Sequence, residues 1–468
     1  MTPIRRRLAL AASLLAAAAP AAATTYEVGP ARTFTQLTDV APLVGPGDLV
    51  LVDGGSTYQP VLFTTDGTAG APIVVRGLRS AGGARPVLSG GANTIEVQSD
   101  HFVLEGFEIT GGSFRCVFHH SDDLTLRDLY VHDCPAHGIL SADEDSGSLT
   151  LEYSEIAYCG NGSTQHALYI TSDQNAHPGS VFRMRGCYVH DGTGGNLLKS
   201  RAERNEIDFN WFEGARYHLL ELIGPDEGAV TPPPGIREDS DVVGNVLVHK
   251  AYDPPGPQGP FDGNFYFVRA GSDMRCDDGG SNSTRGRYRF VGNTFVRTTT
   301  LNGSHVFRPF GYLQTLEMHG NVFWSEAAGA MNLVRDDSGE RCWTDGEQIL
   351  GTDNWVETGT SAPSGWSDTI VGASPGFANA GALDFRPAAA STLLDAVASA
   401  PPTIVAFPFP NGLWPPVAEP SRVPLAGPPA WPRAADGAYD VGAFERPAPI
   451  FVDGFESQRT DRWSAAEP

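Results

Sequence analysis

Eight short segments of the chain repeat a single pattern. "FVLEGFEIT", "LTLRDLYVHD", "LTLEYSEIAY", "FRMRGCYVHD", "EIDFNWFEG", "DVVGNVLVHK", "YRFVGNTFVRT" and "LEMHGNVFWSE" share an alternating apolar pattern whose last member is a large apolar residue. Aligned, they bring Gly106, Asp128, Tyr153, Gly186, Phe209, Gly244, Gly292 and Gly320 to one position, at spacings of 22 to 48 residues. Alternation with period two marks a strand, and a fixed pattern at unequal spacing fits coils of one solenoid joined by loops of variable length. The last four units also place Asn210, Asn245, Asn293 and Asn321 in a column. A stacked asparagine ladder belongs to parallel stacking, where every turn recurs above the previous one. The pattern predicts an all-β protein, a right-handed parallel β-helix.

The ends are different. Residues 1–23 carry Arg5, Arg6 and Arg7, an alanine- and leucine-rich run, and small residues up to Ala23; this reads as a secretory signal peptide. In "TFTQLTDVAPLV", Phe34, Leu37 and Val40 have helical spacing and predict a cap over the first coil, since an open end coil exposes an unpaired sheet edge. The β-helix with its cap is assigned to 24–395, a Pro-rich irregular closing strap to 396–446, and a tail to 447–468. The tail's "VDGFES" resembles a short segment that ends other exported bacterial proteins and is read as a sorting signal for the cell surface.

Fifty-four glycines and 36 prolines suit a turn-rich β protein. A net charge of −23 opposes nucleic acid as a partner and repels polyanions at long range. Any polyanion site must be a local positive exception. No segment approaches the roughly 20 apolar residues of a membrane span, so the mature chain is expected to be secreted, extracellular or periplasmic, and a monomer. Six cysteines in an exported chain read as disulfide partners. Cys134 and Cys159 each lie three residues past the same position of successive coils, about 4.8 Å apart in a parallel stack, which predicts Cys134–Cys159. The second expected pair is Cys276–Cys342.

The opening "VGPGDLVLVDGGSTYQPVLFTTDGTAGAPIVVRG", the coils through 326 and the closing "SPGFANAGALDFRP" with "YDVGAFE" resemble the pectate lyase superfamily of secreted β-helix proteins. Within it, "QHALYI", "NLLKSRAERNEI" and "YHLLELIG" are distantly similar to chondroitinase-B-type and alginate lyases. That resemblance implies a lysine base, matched by Lys199, an assisting arginine one coil later, and calcium held by nearby acidic groups. The arginine's place falls near Leu220 and Glu221, and no glutamates stand just before Lys199. No metal ligand or cofactor is therefore assigned, and calcium stays open.

A second strand in several coils begins with histidine: "HGIL" at 137, "HALYI" at 166, "HLLEL" at 218 and "HVFRPF" at 305, with "NLLKSR" at 196 carrying asparagine there. If Leu168, Leu198, Leu220 and Phe307 point inward, alternation sends Tyr169, Lys199, Glu221 and Arg308 outward, with Arg201 beside Lys199. Such a face suits an acidic polysaccharide. Eliminating across a uronate needs a cation on the carboxylate and a base at the C5 proton. The candidate catalytic residues are Lys199, Arg201, Tyr169, His166 and Glu221; Arg308, Arg204 and His218 are candidates for substrate binding. Lys199 is either a neutral base or a charged neutraliser, and in the second case Tyr169 or His166 is the base. The residues also allow bland readings: a hydrogen-bonded histidine column inside the fold, and surface ion pairs of Lys199 and Arg201 with Glu203, Glu206 or Glu221. The leading expectation is a secreted uronate lyase. Its rivals are a glycoside hydrolase using Glu221 with Asp226 or Glu227, a C5 epimerase, and a non-catalytic glycan-binding surface protein.

Overall fold

The computed structural model describes residues 23–446 except 225–237, 251–265, 277–283, 299–304, 327–328, 336, 347, 398–399, 403–415, 424–432 and 434–437. Each coil passes through three parallel sheets in turn. One coil, for example, runs through Leu124–Arg127 in sheet A, Tyr130–His132 in sheet B and His137–Ser141 in sheet C, and the next re-enters sheet A at Leu149–Glu152. Strand pairing follows this order along the whole stack, from Thr25–Val28 to Trp366–Ser367 in sheet A. The molecule is a right-handed parallel β-helix.

The aligned glycine column is the corner between sheets A and B. Its eight residues all have positive φ, from 48° at Tyr153 to 85° at Gly106, and Asp353 continues it at 55°. Only this left-handed step turns the chain sharply while keeping both flanking strands in register. Glycine adopts it freely, whereas side chains such as Tyr153 and Phe209 pay roughly 1–2 kcal/mol.

The residue after the corner points into the stack. There the asparagines form the expected ladder, and it runs one rung further. Asn210 Nδ2 donates to Asn245 Oδ1 at 3.0 Å, Asn245 to Asn293 at 3.0 Å, Asn293 to Asn321 at 2.9 Å and Asn321 to Asn354 at 3.0 Å. Each Oδ1 also accepts the backbone N–H of the asparagine one coil earlier. Cys187 and Ser154 take the same place in earlier coils.

A four-residue helix, Leu37–Val40, lies at the first coil, with Leu37 and Val40 fully buried in the core. At the other end Phe377–Asn379 pairs antiparallel with Asp384–Pro387. Ala443 and Phe444 pack with Trp211, Val246, Val248 and Val296 on the outside of sheet B, which explains why that face is apolar there: it is covered on both sides.

The disulfide Cys276–Cys342 is present, with Cα atoms 5.7 Å apart. The expected Cys134–Cys159 is not. Cys134 bonds Cys116, and Cys159 and Cys187 are free and buried. The register explains the difference. Cys134 reaches across the corner to the sheet C strand of the preceding coil, where Cys116 sits. Arg115 pairs with His137, so the residue equivalent to Cys116 one coil later is Gly138. Cys159 Sγ packs against that glycine, 3.2 Å from where a Cβ would stand. The two cysteines do share a column, but each faces back into the stack rather than along it.

Candidate active site

The outer face of sheet C carries the expected line of side chains. Tyr169 pairs in register with Lys199, and Lys199 with Glu221. Glu221 then pairs with Arg269, and Arg269 with Arg308. Arg269 escaped the sequence reading because its strand, Val268–Gly271, is introduced by Tyr266 where the other strands carry histidine or asparagine. The apolar-then-charged alternation of Val268 and Arg269 was the available signal.

Lys199 Nζ lies 3.9 Å from Glu221 Oε2 and 4.9 Å from the centroid of the Tyr169 ring. Glu221 is buried, and both its oxygens are occupied. Oε2 accepts from Asn196 Nδ2 at 2.6 Å, and Oε1 accepts from Arg269 Nη1. Burial raises its pKa, but Arg269 and then Lys199 reverse this and hold the carboxyl below the usual carboxylate range. Arg269 also donates to Asp273 Oδ1 at 3.2 Å and to the carbonyl oxygens of Ser272 and Asp273.

Arg201, two residues after Lys199, is only 2 % exposed. It donates through Nε to Tyr169 Oη at 3.1 Å, through Nη1 to the Gly224 carbonyl at 2.6 Å, and through Nη2 to Asp273. Burial opposes ionisation of Asp273, yet Arg201 and Arg269 outweigh it and keep its pKa low. Three cations, Lys199, Arg201 and Arg269, thus share two ionised carboxylates, Glu221 and Asp273. The face therefore carries a local positive surplus on a chain of net charge −23.

Three expected members stand elsewhere. Arg204 opens a sheet A strand, Arg204–Asp208, where it pairs with Asp241 and lies 3.9 Å from Glu206. The chain turns from sheet C to sheet A at Ala202 and Glu203, so Arg204 faces a different side from Lys199. His166 and His218 belong to a ladder inside the corner that leads into sheet C. His137 Nδ1 accepts the N–H of His166 at 3.3 Å, His166 Nδ1 that of Asn196 at 2.9 Å, Asn196 Oδ1 that of His218 at 2.9 Å, and His218 Nδ1 that of Tyr266 at 3.3 Å. Burial lowers the pKa to about 3 at His166 and His218 and to about 4 at His137. These rings are neutral, with Nδ1 committed to the backbone. The column is hydrogen-bonded inside the fold, with the His166 ring 5.4 Å from that of Tyr169; neither His166 nor His218 has a place in the outer register line. Arg308 keeps its place in that line, but its guanidinium is paired with Glu340.

Asp226 and Glu227 lie outside the described residues. Among the described residues, no group of three or more His, Cys, Asp or Glu side chains is arranged to hold a metal ion. No helix there is long and apolar enough to cross a membrane.

Fold and face together define a parallel β-helix with one ionised, cation-rich side. No protein-family model matches the chain, and no curated protein matches it. Solved structures do. A pectate lyase, Pel9A, is similar over 91% of this chain and 96% of its own, at 14% identity and a TM-score of 0.50. An alginate lyase from Paenibacillus sp. str. FPU-7 covers 75% of this chain and 99% of its own, at 15% identity and a TM-score of 0.44. A PL6 family polysaccharide lyase from Pseudopedobacter saltans covers 73% and 92%, at 11% and 0.43. At such identities the likeness establishes the fold alone.

Proposed function

We propose that the protein is a secreted polysaccharide lyase that cleaves a uronate-containing glycan by β-elimination on the outer face of sheet C. The observation that carries this reading is the stacking of Lys199 on Tyr169 in register, with Arg201 bonded to the Tyr169 hydroxyl oxygen. In this reading Lys199 stays charged, held beside Glu221, and takes the uronate carboxylate. Negative charge that builds on that carboxylate as C5 loses its proton is met by a fixed cation. Tyr169 is the base. It acts as the phenolate, its own proton having passed to solvent; Arg201 donates to its oxygen and so stabilises the negative charge there until the C5 proton neutralises it. The C5–H electrons form the C4–C5 double bond, the C4–O bond breaks, and the departing oxygen takes a proton from Tyr169 or from water. Glu221, Arg269 and Asp273 are positioning residues: they fix Lys199 and Arg201 and do not touch the sugar.

The disulfides Cys116–Cys134 and Cys276–Cys342 support an oxidising, extracytoplasmic location. A hydrolase reading is weaker, because Glu221, its central carboxylate, has both oxygens engaged. Incubation with a panel of uronate polysaccharides tests the proposal. A lyase produces the ultraviolet absorbance of an unsaturated uronate, a hydrolase produces reducing ends alone, and a binder produces neither. Lys199→Ala should abolish the signal with the circular dichroism spectrum unchanged; wild-type rates in that variant would overturn the assignment.

A further inference from the structure

The line that carries Lys199 continues toward the N-terminal coils, and its chemistry changes there. Tyr169 pairs in register with Leu140, and Leu140 with Phe118, so Phe118 holds the Lys199 position three coils earlier. Phe118, Leu140 and Ala142 form an apolar cluster with Tyr169, separate from the main core. At the far end of this cluster stands a cation. The Arg115 guanidinium lies 3.8 Å from the centroid of the Phe118 ring and 4.0 Å from that of Phe114, and Phe114 is 42 % exposed.

Among the described residues, no carboxylate forms an ion pair with Arg115. Its Nη1 donates to Asn93 Oδ1 at 3.2 Å, and its Nε has no hydrogen-bond partner. Glu96 and Asp143 act on it only as more distant charges. Other arginines of the early coils differ: Arg76 pairs with Glu105, Arg85 with Asp128 and Arg127 with Glu152. A guanidinium held between aromatic rings is pre-organised, weakly hydrated and always charged, and its fork fits a carboxylate or sulfate.

We infer that Phe114, Arg115 and Phe118 form a distal subsite for a second anionic sugar of the same glycan, three coils from Lys199. This inference rests on the reading of the sheet C face as the glycan groove. Three coil steps of about 4.8 Å separate the two positions by about 14 Å. Between them stands Leu140, 9 % exposed and uncharged, and then Tyr169, whose hydroxyl oxygen already accepts from Arg201. A carboxylate held over Leu140 would lose water and gain no partner. The preferred substrate is therefore a chain whose anionic groups meet the sheet at intervals, with sugar faces rather than charges over the middle coils. A homopolymer presenting a carboxylate to every coil fits less well.

Binding separates the distal subsite from the chemistry. Calorimetric titration with di- and hexasaccharides of galacturonate and of alginate should show that the wild type favours the longer chains. Arg115→Ala should weaken hexasaccharide binding by about tenfold, the scale of one charge-assisted contact, and leave disaccharide binding unchanged; Arg115→Lys should recover part of the loss. Phe114→Ala, at an exposed side chain, should weaken the hexasaccharide in the same direction with no change in melting temperature. Equal losses for both lengths, no loss for either, or no binding of any hexasaccharide to the wild type would overturn the subsite. If the length-dependent loss appears and no unsaturated product ever forms, the lyase reading falls and the subsite stands.

Discussion

Replacing Glu221 with glutamine removes one charge from a buried set while conserving volume. The carboxylate sits between Arg269 and Lys199 and is 3 % exposed. Breaking a buried pair by removing one partner costs roughly 3–5 kcal/mol, because the other charge stays behind uncompensated. Arg269 keeps Asp273 Oδ1 at 3.2 Å and two backbone carbonyls, which places the expected loss near the lower end, about 3 kcal/mol. The pH dependence supplies a second, independent check. The folded-state pKa of Glu221 is depressed, below an unfolded value of about 4.3. A group of this kind contributes its full stabilisation above the unfolded pKa and loses it as pH falls through the folded one. The gap between wild type and Glu221→Gln should therefore be about 3 kcal/mol at neutral pH and should shrink below about pH 4. Urea unfolding at several pH values measures it. A gap under about 1 kcal/mol at neutral pH, or one that stays constant into acid, would refute the buried network.

Tyr169→Phe should lower kcat by roughly 100-fold or more, the usual contribution of a positioned base, with little change in KM; an equal rise in KM with kcat intact would reassign Tyr169 to binding. Asn245→Ala removes the acceptor of the Asn210 N–H at 2.8 Å and a donor to the Ile207 carbonyl at 2.8 Å. With these groups left unpaired in the core, the loss should be roughly 3 kcal/mol in chemical denaturation, and a loss near zero would mean that the ladder is not a stabilising device. Thiol titration without reductant should find Cys159 and Cys187 unreactive in the native protein and reactive once it is unfolded, because burial pushes both thiols up to about 12. A native-state peptide map joining Cys134 to Cys159 would contradict the observed register.

What the sequence reveals about this fold depends on whether a residue's surroundings repeat. The corner residues recur from coil to coil and the asparagines through the later ones, so their neighbours are copies of themselves, and aligning the coils was enough to find them. The outer line Tyr169, Lys199, Glu221 was legible for the same reason, since alternation fixes which side a residue faces. Contacts that leave the repeat were not legible. Cys134 bonds diagonally to Cys116 because the place facing Cys159 is Gly138, and no column reveals a diagonal. Asp273 meets Arg201 and Arg269 from outside the strands, 72 residues from the arginine it neutralises. The three basic residues Lys199, Arg201 and Arg204 look like one cluster in the linear chain, yet they have three different surroundings. Arg204 turns the corner into the sheet A ion pairs, and Arg201 is enclosed by Asp273 and Tyr169. Lys199 alone of the three keeps its charge on the outer face, beside a carboxylate 3.9 Å away that is more tightly held by Arg269. In the proposed lyase, a cation whose partner is already satisfied is the one best able to accept a new anion, and that asymmetry, rather than the density of positive charge, favours Lys199.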